Sequence, residues 1–480
     1  MFPLIALQGQ EGGRHARNRS VEHYDGSAVL TYATNLSPIR HPELMSQAMP
    51  GPAPRHATLD DWIAHEAIPF ALDAPESFNA AVDKTVATLG SAVELLGFGE
   101  PLHGGEEFLL LRNRLFERLV EAHGYGAIAI ESSFPKGLVV DATIAGRGPA
   151  AYDAVKDSGF SHGFGALEAN RELVDWMRHY NADPAHAVKL RFYGIDAPTE
   201  AYATASPRRT LDFVLDYLAS FDDDAAQNHR QRIEPLIGAD AGWNVSPMAR
   251  DRSPSVGLSP AAAALRVATE DLATELRIRR PELVAKGGKR GRDRYLLALQ
   301  HASIARQLLS YHAALAGGQP PSTLLGIRDA MMADNLVYIA ARERGRGKVL
   351  IFAHNAHLQR GKALLPWYEF WPVGAHLDDM FGPRYAVIGS ALCTSEENGI
   401  GDPEAGTLEA RFLAMPAPGH FIATHLGHGL PAADIATLPT RSRSARNRGY
   451  GPLSARSFTD FDCLAFLHSA TYTRGAPPLT

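Results

Sequence analysis

Glu100 and His103 place a carboxylate and an imidazole three residues apart, just past a mostly apolar run from Ala92 to Phe98. A second apolar run, Lys348 to Ala353, ends in His354-Asn355-Ala356-His357. Glu131 follows the run Ala127 to Ile130, and Asp196 follows Lys189 to Ile195. A neutral imidazole with a pKa near ~6.5 can take a proton from water at neutral pH, and a nearby carboxylate orients the ring and stabilises the imidazolium. Arg112, two helical turns beyond His103, is placed to turn inward as a carboxylate partner or anion stabiliser, with a surface salt bridge as the alternative. The candidate catalytic residues are therefore His103, Glu100, Glu131, His354, His357 and Arg112. Asp196 and Asn355 are candidates for substrate contact.

These residue types fit two chemistries. His103 can activate a water that attacks a carbonyl without a covalent intermediate. Alternatively, Glu-x-x-His with His-x-x-His can hold a first-row metal that activates the water. No Gly-x-Ser-x-Gly elbow is present, which disfavours a serine nucleophile, and neither a Walker loop nor a Rossmann glycine fingerprint occurs.

The positioning elements follow from periodicity. Strands are expected at about 92–98, 127–130, 189–195, 348–353, 385–390, 419–423 and 461–467, alternating with helices near 105–122, 165–180 and 327–344. Such alternation implies α/β architecture, a mainly parallel central sheet flanked by helices in three layers. Thr58 or Asp60 is a candidate cap for a helix starting near 59. Between 207 and 316 strand signals vanish, and amphipathic helices are expected at 211–221, 261–278 and 293–314. We expect a discontinuous α/β catalytic domain over 57–206 and 317–480. Residues 207–316 are read as a helical insertion forming a lid or substrate wall, and 1–56 as a loosely ordered leader with a possible short strand at Val29–Tyr32. Residues 431–458, with Arg441, Arg443, Arg446 and Arg448, are expected to form a mobile basic loop.

Composition narrows the functional classes. The chain has 480 residues, 45% hydrophobic and 21% charged, with a formal net charge of −6. That balance is ordinary for a globular enzyme and argues against nucleic-acid partners, which require a broad basic surface. No apolar run is long enough to span a membrane, and the opening Met1–Leu7 lacks the basic region of a signal peptide. Cys393 and Cys463 lie in apolar runs and suit packed core thiols in a reducing cytoplasm.

At these motifs the chain resembles the erythromycin esterase family. The matching pieces, in order, are Gly99-Glu100-x-x-His103-Gly104, Glu107-Phe108, Arg112, Ala129-Ile130-Glu131 and Tyr193-Gly194-Ile195-Asp196, then Arg328-Asp329-x-x-Met332-x-x-Asn335, Ala353-His354-Asn355-Ala356-His357, and Phe461-Asp462 into Leu464-Ala465-Phe466. They span roughly residues 58–470. The resemblance implies a metal-independent macrolide lactone hydrolase of the antibiotic-resistance type, with no cofactor and with the histidine matching His103 as general base. It also implies that Glu100, Arg112, Glu131, His354 and His357 line one site. The expected partner is a small-molecule ester or macrolide, with no nucleic acid or membrane; the oligomeric state is not fixed. The family commonly continues His-Gly-Thr-His-Glu, whereas this chain has Gly105-Glu106-Glu107 after Gly104, so a second histidine near the base is missing. Two other readings stand beside the esterase: a metal-dependent hydrolase on the same His/Glu cluster, and a non-enzymatic ligand- or haem-binding protein of similar fold.

Overall fold

Strict alternation of buried side chains builds the centre of the molecule. Leu96 and Phe98, Ile128 and Ile130, and Leu350 and Phe352 pack into one core cluster, while Leu95, Ala127, Ala129, Val349, Ile351 and Ala353 pack into another. Period-2 alternation puts these two sets on opposite faces of one sheet. The structure is a computed structural model describing residues 56–200, 203–245, 255–365 and 368–479. The leader expected over 1–56, apart from its last residue, and the strand at Val29–Tyr32 lie outside the described residues.

Eight strands form the sheet: β1 (Ile68–Phe70), β2 (Leu95–Glu100), β3 (Tyr125–Ser133), β4 (Arg191–Asp196), β5 (Lys348–His354), β6 (Tyr385–Thr394), β7 (Gly419–Ala423) and β8 (Cys463–Ser469). Their order is β1-β7-β8-β6-β2-β5-β3-β4. The six strands from β8 to β4 run parallel, and β7 and β1 extend the edge with antiparallel pairing. In a parallel sheet every strand ends on the same edge. The neighbours β2, β5, β3 and β4 therefore bring Glu100, His354, Glu131 and Asp196 together, and Glu100 is the direct register partner of His354.

Helices cover both faces. Pro75–Leu89, α1 (Glu106–His123) and Glu168–Ala182 pack on one, while Leu59–Glu66, α2 (Pro321–Glu343) and Val373–Phe381 pack on the other. Thr58 caps the first of the second group, its hydroxyl accepting from the Asp61 amide at 3.1 Å. α1 carries Glu106 and Glu107 in its first turn, where carboxylates meet the positive end of the helix dipole. It ends on Gly124 at φ 72°, a left-handed cap suited to glycine.

Helices Arg208–Ala219, Asp223–Ile237, Pro260–Ile278, Arg280–Lys286 and Gly291–Ala316 occupy the segment without strands and share a core of their own. Asp223–Ile237 and Arg280–Lys286 were not expected. The first is polar and carries Pro235, so its apolar stripe is weak, although Asp222 caps it through the Ala225 amide. Ile304 and Leu308 of the longest helix join the core beneath the sheet. The described part of this segment belongs to the same compact unit as the sheet.

Among the described residues, no helix is long and apolar enough to cross a membrane. Both cysteines are unpaired and buried, and burial pushes each thiol up to about 12, so neither offers a thiolate.

Candidate active site

β2 ends rigidly because its last residues are clamped from the side. Asn355 Nδ2 donates to the Ser390 carbonyl at 2.7 Å, and its Oδ1 accepts from the Ser390 amide at 3.1 Å. The Ser390 hydroxyl donates to the Gly99 carbonyl. A Cβ at position 99 would overlap the Asn355 side-chain oxygen, so only glycine permits this approach. Asn355, expected to contact substrate, thus uses both amide atoms as a clamp between β5 and β6. Beyond β2 the chain turns through Gly104 at φ +106°, left-handed space that favours glycine.

His103 sits on this turn. Its Nδ1 lies 2.6 Å from Glu100 Oε1, and its side chain stays 44% exposed while that of Glu100 is buried. Assigning the ring proton to Nδ1 lets it donate to the carboxylate, which leaves Nε2 with a lone pair. Surrounding protein disfavours charge on the ring, but the hydrogen bond and charge of Glu100, helped by Glu131, outweigh it and raise the His103 pKa.

His354 packs edge-on against His103, with ring centroids 5.4 Å apart. Both of its nitrogens are engaged by backbone: Nδ1 accepts from the Ala356 amide at 3.1 Å, and Nε2 donates to the Gly449 carbonyl at 2.9 Å. Burial lowers this histidine to about 3, so it stays neutral with a fixed tautomer.

Glu131 is the junction of the site. Its Oε2 accepts from the His354 amide at 3.0 Å, and its Oε1 accepts from Arg328 Nη2 at 2.9 Å. His357 Nε2 lies 3.3 Å from the same Oε1, while His357 Nδ1 lies 2.8 Å from Asp329 Oδ1. Burial opposes charge on His357, but Asp329 and Glu131 overcome it and push the ring up to about 10. Arg328 Nη1, which can only donate, stands 3.1 Å from the same Nε2, so in this arrangement Nε2 accepts and Nδ1–H donates to Asp329. Burial likewise opposes the Glu131 anion, yet His357 and Arg328 hold the carboxyl well below its usual range.

Arg328, on α2, ties this cluster to β4. Its Nε and Nη2 donate to Asp196 Oδ2 at 2.9 and 2.6 Å. Asp196, also expected to touch substrate, is wholly buried behind this arginine. Burial pushes its carboxyl up to about 6 against the pull of Arg328, which keeps the pair ionised at neutral pH. Arg328 thus lies between Glu131 and Asp196, and His357 between Glu131 and Asp329.

Arg112 does turn inward and is buried, but it does not pair with a carboxylate. Its Nε and Nη2 donate to Asn113 Oδ1, and the guanidinium lies 4.8 Å from the Phe352 ring centroid. Burial lowers its pKa to about 10. With Glu100, His103 and Glu131 it lines a small cavity of about 20 Å³, room for a single water.

Arg328 and His162 are residues that sequence reasoning did not single out as site candidates. Arg328 had a signal, an Arg-Asp pair beside Met332 and Asn335 on an otherwise apolar helix face. His162 follows β3 in the glycine-rich stretch Ser161–Gly165. It adopts φ 58°, unusual for a non-glycine residue, and its Nε2 lies 3.9 Å from Asp196 Oδ2. Burial lowers it to about 3.

A larger cavity of about 480 Å³ opens above these groups, touching His103, His354 and His357. Its walls come from Leu325, the hairpin segment around Leu364 and Phe370, and the loop from Thr440 to Ser457. None of the described residues of 207–316 lines it.

The metal alternative needs several open ligand atoms facing one point. Here Nδ1 of His103 and both nitrogens of His354 and His357 already have protein partners. Among the described residues, the histidine and carboxylate atoms close enough to share an ion belong to Asp61 and His65 of the helix Leu59–Glu66 and to His56 just before it.

A mainly parallel sheet that gathers histidines and carboxylates at its strand ends is the frame of this site. The chain belongs to the erythromycin esterase family, whose profile matches residues 120–469. It is 25% identical over 341 residues to an erythromycin esterase type II of Escherichia coli, covering 69% of this chain and 76% of that protein. Its fold is similar to that of a Bacillus cereus protein (TM-score 0.69, 18% identity, 87% of this chain and 98% of that one). It is also similar to a succinoglycan biosynthesis protein (TM-score 0.64, 18% identity, 87% and 98%). A variant of the erythromycin esterase EreC in its open conformation gives a TM-score of 0.61 at 17% identity, covering 85% and 98%.

Proposed function

We propose that this protein hydrolyses a carboxylic ester or lactone by direct attack of water, with His103 as general base. The observation that carries the reading is the 2.6 Å contact between His103 Nδ1 and Glu100, which leaves Nε2 as the acceptor nitrogen of a side chain that lines the cavity. Nε2 takes a proton from water as the oxygen bonds to the carbonyl carbon. The carbon–oxygen bond to the leaving alcohol then breaks, and the imidazolium returns its proton to that oxygen. Positive charge on Arg328, which donates to His357, stabilises the oxyanion, while Glu131 orients His354 and His357 around it. Glu100, Glu131, Arg112, His354 and His357 are positioning or electrostatic residues in this scheme, and Asp196 acts through Arg328. Family membership supports hydrolysis of this type, and a macrolide lactone is one substrate to try. The two unpaired thiols suit the cytoplasm.

The test is a hydrolysis screen of macrolides and simple aryl esters, with and without chelator. We expect turnover of at least one ester that chelator leaves intact. Loss in chelator with rescue by zinc or manganese would move these residues into a metal-dependent scheme. No turnover of any ester would overturn the reading.

A further inference from the structure

Residues 431–458 were expected to form a mobile basic loop, and within them Asn447 to Gly451 are strapped onto the histidine turn. Asn447 Nδ2 donates to the His103 carbonyl at 2.9 Å, Gly449 O accepts from His354 at 2.9 Å, and the Gly451 amide donates to the Pro101 carbonyl at 2.8 Å. Arg448 stands between the residues pinned to His103 and His354, so its backbone position relative to the site is fixed.

The arginines of this loop divide by role. Arg441 is buried and donates to the carbonyls of Leu392, Cys393 and Gly401, which anchors the loop. Arg443 and Arg448 are exposed and line the same cavity as His103. Arg443 donates to the Tyr450 carbonyl at 3.1 Å and meets no carboxylate among the described residues. Arg448 has neither an ion pair nor a side-chain hydrogen bond among the described residues. The acid on this wall, Asp460, lies 3.6 Å from Arg456 and accepts from the Gly361 amide. The wall beside Arg448 carries positive charge that no carboxylate among the described residues pairs with.

We propose that Arg448, assisted by Arg443, forms an anion subsite, so that the substrate is an ester or lactone bearing a carboxylate away from the cleaved bond. This rests on the hydrolase reading above and adds the substrate class. A guanidinium matches a carboxylate with two parallel N–H donors, and partial enclosure in a cavity strengthens such a pair over its fully solvated form. A ligand carrying a protonated amine would meet repulsion at the same wall.

The test compares p-nitrophenyl hemiglutarate with p-nitrophenyl butyrate, reading the ratio of their kcat/KM values. At low ionic strength we expect a ratio of roughly ten in the wild type, falling toward one in Arg448→Ala, partly kept in Arg448→Lys and reduced by salt. An equal ratio in wild type and Arg448→Ala would overturn the proposal. A second arm titrates glutaryl p-nitroanilide, a more inert amide, by calorimetry, with acetyl p-nitroanilide as the neutral control. Binding of the glutaryl probe that weakens about tenfold in Arg448→Ala supports the subsite even where no ester turns over, a result that defeats the hydrolase reading alone. No preference for the glutaryl probe in the wild type overturns the subsite whatever the hydrolysis result.

Discussion

His103 Nδ1 lies 2.6 Å from Glu100 Oε1, and the pair spans the turn that closes β2. The carboxylate is buried and the imidazole is half open to the cavity, so one partner fixes the ring and the other meets the substrate. Replacing His103 by Ala removes the base while cutting little packing. We expect ester hydrolysis to fall by roughly 10²–10⁴-fold, with a melting temperature close to wild type. Wild-type rates in His103→Ala at unchanged melting temperature would exclude it as the base.

Glu100 raises the pKa of His103, and the sign of the effect on rate follows. A raised pKa keeps the ring protonated to higher pH, and the neutral base forms only above it. The acid limb of kcat/KM is therefore expected above pH 6.5, the ordinary histidine value. Glu100→Gln keeps an acceptor for Nδ1–H but removes the charge, so the limb should move to lower pH while the plateau rate drops. A pH–rate profile measures both effects, and an unmoved limb would mean that another group titrates.

Arg328 neutralises Asp196 and Glu131 in a buried setting. Removing it in Arg328→Met leaves two carboxylates without their cation, and breaking a buried pair costs about 3–5 kcal/mol. Urea unfolding should show a loss of that size, with Arg328→Lys intermediate because an ammonium cannot reproduce the guanidinium fork. A stable Arg328→Met protein with unchanged hydrolysis would remove this network from both folding and function.

The strands and their terminal residues were readable from sequence because strands buried on both faces are continuous apolar runs. Residues 92–98, 127–130, 189–195 and 348–353 announced themselves as apolar runs, and Glu100, Glu131, Asp196 and His354 stood at their ends. The parallel sheet followed from helices between them, and convergence followed from the sheet. What each group does on arrival was not local. Arg328 meets Asp196 across 132 residues and Glu131 across 197, so no window of sequence displays the hub. The same holds for Asn447, which reaches the His103 carbonyl across 344 residues and turns an expected solvated loop into a wall. Protonation was likewise decided by packing. His354 and His357 are three residues apart and identical in type, yet burial lowers the pKa of the first while Asp329 and Glu131 raise that of the second. Sequence determined which residues come to the sheet edge, because an apolar run and the polar residue that ends it are a short-range property. Tertiary structure alone decided which of them is the open base, which are clamps and which carry charge, because desolvation and Coulomb pairing depend on neighbours that the chain brings from hundreds of residues away.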